Sequence, residues 1–151
     1  MYAVFPGGKH ALLIGSLERY SRLVVPQKLG DLGSPGASVA EVRAYFDGLV
    51  RDLLTPEGRQ GCLLVNSAIE AAAVDGEVAA AVRGHHARLE RCFAAALRTA
   101  IRRGEVAAAV DPVSRAKGLV AISQGLMVVG KANPDEEALR AIVESAFTGL
   151  D

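Results

Sequence analysis

Apolar residues recur every three or four positions along almost the whole chain, which is the period of an α-helix. Beginning at Lys9, Leu12, Leu13, Leu17, Tyr20 and Leu23 to Val25 fit one helix that ends before Pro26. Pro26 to Ala37 contains three glycines and two prolines and reads as a loop. Ser38 with Glu41 three positions on gives a capping-box pattern. Val42, Tyr45, Phe46, Leu49, Val50, Leu53 and Leu54 then form a broad apolar face, broken at Thr55-Pro56-Glu57-Gly58. A short apolar helix is predicted from about Gly61 to Ala73.

Asp75 opens the longest helix. Val78, Val82, His86, Leu89, Phe93, Leu97 and Ile101 make one stripe, and Arg83, Arg91, Arg98 and Arg102 lie off it. Gly104 is the expected stop. Asp111-Pro112 is an N-cap followed by a proline in the first helical position. The helix it starts is apolar nearly all round from Leu119 to Val129, so it must be covered on more than one side. Asn133-Pro134-Asp135-Glu136 starts a last helix striped by Leu139, Ile142, Val143, Ala146 and Phe147. The expectation is an all-α domain of about six helices, with no strand and no fixed-period repeat.

The last two helices pose a packing problem, because a single chain of this size has few elements left to cover both. Pairing with a second copy solves it, two helices from each chain forming a dimeric four-helix bundle. The expected interface comprises Leu119, Ile122, Leu126, Leu139, Ile142, Val143 and Phe147, with Gly118, Ser123 and Gly125 small enough for close approach. Ordinary core packing within one chain is the alternative for the same residues.

Composition narrows the functional classes. The chain has 151 residues, half of them hydrophobic, with 5% aromatics and no Trp, which suits one closely packed helical core. Its formal net charge is zero, so there is no basic excess of the kind that drives nucleic-acid binding. The longest near-apolar stretch, Gly118 to Gly130, is too short for a bilayer and carries Ser123 and Gln124. No membrane partner is expected. With no secretory signal, the free cysteines Cys62 and Cys92 fit a cytoplasmic protein.

Chemistry is sparse. Gly7-Gly8-Lys9 lacks the earlier glycine and following Ser or Thr of a phosphate loop. Cys62, Cys92, His10, His85 and His86 show no zinc spacing, so neither metal nor cofactor is expected. No third group orients a Cys-His pair, which argues against an enzyme. Cys62, at a predicted helix start with Arg59 nearby, has the placement of an electrophile- or redox-responsive thiol as well as that of a small packing residue.

Two segments carry a resemblance. The opening Met1-Tyr2-Ala3-Val4-Phe5-Pro6-Gly7-Gly8-Lys9 feeds directly into a Leu-rich helix. It is similar to the join between DNA-binding head and ligand-binding body in TetR-family transcriptional regulators. Gly61-Cys62-Leu63-Leu64-Val65-Asn66-Ser67-Ala68-Ile69-Glu70 resembles the Gly-Cys-Leu-x-x-Asn-x-x-x-Glu segment of one subgroup of TetR-like bodies. With the Arg102-Arg103-Gly104-Glu105 helix end, the resemblance covers essentially the whole chain.

The resemblance implies residues 1–8 as the remnant of a helix-turn-helix head and 9–151 as a ligand-binding and dimerisation body. It implies phosphate contacts from Tyr2 and Lys9, with the base-reading residues lying before Met1, so that DNA is a partner only through a complete head. It implies a homodimer joined through helices at about 112–131 and 134–149, and a small apolar effector that releases a repressor from its operator. Candidates facing an apolar pocket are Tyr20, Phe46, Cys62, Asn66, His86, Phe93 and Gln124. Each of them equally fits ordinary core. The alternative functions are a stand-alone helical ligand-binding or dimerisation protein without a DNA role, and a Cys62-based sensor.

Overall fold

The computed structural model describes residues 7–150. Every described element is helical: α1 (Gly8–Leu23), α2 (Val25–Leu29), α3 (Val39–Leu53), α4 (Leu63–Glu70), α5 (Gly76–Arg103), α6 (Pro112–Ala132) and α7 (Glu136–Phe147), with 3-10 turns at Gly30–Gly33 and Gly58–Gln60. The all-α expectation holds, and each of the anticipated longer helices is present.

Local chemistry explains the boundaries. The Ser38 backbone N–H donates to Glu41 Oε2 at 2.6 Å, closing the box that starts α3. The Asp75 carboxylate accepts from the N–H groups of Glu77 and Val78, and the Asp111 carboxylate from those of Val113 and Ser114. Asp135 does the same for α7 through Ala138. The 28-residue α5 ends at Gly104, whose φ of 72° is left-handed.

One stretch departs from the expectation. The first helix stops at Leu23 rather than Val25, and Pro26 starts α2 instead of opening a loop. Proline lacks only an N–H that has no partner in a first helical turn, so it can begin a new helix as readily as it ends an old one. Gly30 turns the chain after α2 with φ 51°. The short helix α4 stops at Glu70, earlier than the expected Ala73.

The long α5 is the central strut, packed against α6, α4, α1 and α3. Between α3, α5 and α7 lies an aromatic cluster. Phe46 stacks on Phe93 with centroids 5.9 Å apart, and Tyr45 and Phe147 meet Phe46 edge-on. Arg43 of α3 lies over the Phe147 ring and reaches Glu144 at 2.7 Å, tying α3 to α7. Arg115 donates to the Ala146 and Thr148 carbonyls, satisfying the end of α7. No helix among the described residues is long and apolar enough to cross a membrane.

Candidate ligand cavity

α1, α2, α3, α5 and α6, with Cys62 at the start of α4, converge on a small cavity lined by Tyr20, Val25, Lys28, Leu29, Tyr45, Leu49, Cys62, His85, Leu89 and Met127. Its volume is about 20 Å³, room for a single water. Half of the lining is aliphatic or methionine, and its polar groups are two phenols, a thiol, an imidazole and the Lys28 amine. An open groove of about 540 Å³ between α2 and α3 shares Lys28, Leu29, Tyr45 and Leu49 with it.

The electrostatics follow from burial. Tyr20 is half-buried, and desolvation, followed by the adjoining Cys62 thiol, pushes its hydroxyl well above the usual phenol range. Tyr45 is raised by burial as well, with its hydrogen bond to Ser123 acting in the opposite direction. His85 is pushed down to about 4 by burial, then by its neighbours His86 and Arg88. Near neutral pH the cavity thus presents two protonated phenols and an uncharged imidazole.

His85 is the anomaly. It is 6% exposed, and neither ring nitrogen has a hydrogen-bond partner among the described residues. A buried imidazole normally has both nitrogens engaged, and each unmet group costs about 1–3 kcal/mol.

The expected pocket residues divide. Tyr20 and Cys62 line the cavity. Phe46 and Phe93 are fully buried in the aromatic cluster, where their rings fill space against each other. Asn66 donates to the Gln60 carbonyl and accepts from Lys131, which pins the Gly58–Gln60 turn and α6 to α4 at a separate surface cleft. Gln124 is half-buried and donates to Ser123. His86 is half-buried and points away, so the pocket histidine is its neighbour His85. Both histidines lie within reach of the α5 stripe, because intervals of three or four from Val82 admit either. Tyr45, His85 and Met127 are cavity residues that periodicity marks only as core.

The residues expected at the interface divide as well. Leu119, Leu126, Leu139, Val143 and Phe147 are buried within the single chain and so face its own core. Ile122 and Ile142 are half-exposed. The outward face of α6 is instead Gly118, Ala121, Gly125, Val128, Val129 and Ala132, all exposed, and Ala141 continues it on α7. Lys9 is exposed in the first turn of α1, while Tyr2 lies outside the described residues. No group of three or more potential metal ligands gathers among the described residues.

The class is that of an all-helical domain built around one long central helix. Residues 38–146 match the family described as "Tetracyclin repressor-like, C-terminal domain", and the chain belongs to that family. Comparisons with curated proteins and with solved structures gave no match.

Proposed function

We propose that this chain is the effector-binding and dimerisation body of a cytoplasmic TetR-like transcriptional repressor, in which a small molecule of largely apolar character relieves DNA binding. The observation that carries the sensing half is the buried cavity holding an imidazole with no partner on either nitrogen. Its wall is apolar with a few polar groups, the usual make-up of a small-molecule site. No group orients His85 for proton transfer, which supports sensing over catalysis.

Effector action requires two states of the body with different ligand affinity. The wall at α2 supplies a candidate moving part, since it is one short helix between Pro26 and the Gly30 turn. Operator contact would run through a head attached ahead of α1, with Lys9 placed to meet a phosphate from that helix's first turn.

The dimerisation half rests on the uncovered face of α6 and α7. From Gly118 to Gly130 α6 has no charged residue, yet Gly118, Ala121, Gly125, Val128 and Val129 are exposed in the single chain. Sedimentation equilibrium on the full chain tests this: a twofold mass is expected at micromolar concentration, and a monomer persisting to millimolar concentration would refute it.

A further inference from the structure

We propose that His85 is the polar anchor of the cavity and selects an uncharged ligand that presents a hydroxyl group on a small apolar body. This rests on the reading of the cavity as the effector site and specifies what that site accepts.

The argument is one of complementarity. A neutral imidazole offers one donor nitrogen and one acceptor nitrogen, and both are unpartnered here while the ring is 6% exposed. A hydroxyl donates to the acceptor nitrogen, and its oxygen can accept from the Tyr20 hydroxyl or Cys62 thiol on the same wall. An organic cation has no counter-charge, because no carboxylate lines the cavity. A carboxylate fares little better. The one cation on the lining, Lys28, is already engaged with Asp52 at 2.9 Å, and an anion among largely apolar side chains bears a heavy desolvation cost. The remaining lining, Val25, Leu29, Leu89 and Met127, asks for hydrocarbon.

As it stands the cavity has room for only a water-sized group, so the ligand must displace part of the wall. Met127 is the adaptable element: it borders this cavity, the surface cleft beside Asn66 and a further small void under Leu53 and Gly58. An unbranched thioether re-packs readily among such spaces.

The test compares phenol, toluene and benzoate on the full chain, by calorimetry and by methyl NMR at Leu89 and Met127. The expected result is phenol binding at least about tenfold tighter than toluene, as one buried hydrogen bond left unmade requires. Benzoate should bind more weakly than phenol, and phenol affinity should be flat between about pH 6 and pH 8. His85→Leu should bring phenol and toluene to equal affinity, and His85→Gln, which retains a donor and an acceptor, should restore part of the preference. A preference that survives in His85→Leu, or benzoate binding tightest, overturns the proposal. Toluene shifting Leu89 and Met127 with no preference for phenol also overturns the anchor but leaves the effector cavity standing. If none of the three probes shifts those methyls, the effector reading fails with it.

Discussion

The two sides of α6 break the usual partition of polar and apolar groups in opposite ways. Inward, Ala116, Leu119, Val120, Leu126 and Met127 are buried, yet the cavity that Met127 borders is also lined by an imidazole with no partner among the described residues. Outward, Gly118, Ala121, Gly125, Val128 and Val129 are exposed, yet no charge interrupts them. A folded chain is stable with either defect, but each marks a free-energy gain still available. The inner defect is relieved by a group that can hydrogen-bond, and the outer one by apolar surface. Under the proposed function, one helix faces two different partners, a small molecule and a second copy.

The sharpest way to break this contrast is to charge the outer side. Ala121→Glu places a carboxylate in the middle of the small-residue face, where a partner helix would desolvate it. The dimer dissociation constant is expected to rise about 100-fold or more, read by sedimentation. Helical circular dichroism should be unchanged, because the position is exposed in the single chain. Loss of helicity along with the dimer would mean that this face belongs to the core.

Acting on the inner side gives the next largest effect. The unfolded-state imidazole takes up a proton below its ordinary value of 6.5, whereas buried His85 resists until about 4. Unfolding therefore takes up a proton in that window, and His85 removes stability as pH falls from 6.5 to 4. His85→Leu is expected to match or exceed the parent at pH 7, and its advantage should grow on acidification by about 3 kcal/mol at most. Urea titrations at several pH values measure it. A constant difference between the two proteins would show that the ring is solvated.

Glycine substitutions compare the two sides at equal chemistry. A Cβ at Gly130 would meet Leu53 Cδ1 at 2.7 Å, whereas one at Gly125 meets nothing within 4 Å. Gly130→Ala is expected to destabilise by about 1–2 kcal/mol through overpacking, net of the helix-propensity gain. Gly125→Ala should stabilise the single chain by up to about 1 kcal/mol, while weakening a dimer whose helices approach at that glycine. Thermal melts at low and high protein concentration separate the two effects.

How much of this the chain announces depends on the kind of signal. Caps and stops are local, so Ser38-Glu41, Asp75, Asp111 and Gly104 mark their helices directly. The α2 segment was hidden because proline both ends and begins helices, and only tertiary packing of Val25 and Leu29 selects the second role. The cavity was half legible. Periodicity tells buried from exposed, which brought in Tyr20 and Cys62, but it cannot tell cavity from core, which is why Phe46 and Phe93 were grouped with them. It also cannot separate adjacent residues on a stripe: His86 is the one it marks, and His85 is the one on the cavity lining. On a helix apolar all round, periodicity cannot say which residues fill the chain's own core; the structure buries Leu119 and Leu126 and leaves the small residues exposed.

The smallest expected effect belongs to the cap shared by both sides of α6. Hydrogen bonds from the Ser114 side chain and from the N–H groups of Val113 and Ser114 hold Asp111 below the ordinary carboxylate value. A carboxylate lowered in this way adds stability above its unfolded value, and that stability is lost as pH falls through the folded one. Asn caps helices about as well as Asp, so Asp111→Asn removes the charge and little else. A slightly lower melting temperature is expected at pH 7, with the two curves merging below about pH 4. That window lies under the one assigned to His85, so acid titration of the parent should lose stability in two stages, the cavity first and the helix caps second. Curves for Asp111→Asn and the parent that stay parallel down to about pH 2 would show that the charge at the start of α6 contributes nothing, leaving the lower stage to Glu41 and Asp75, which are lowered in the same direction.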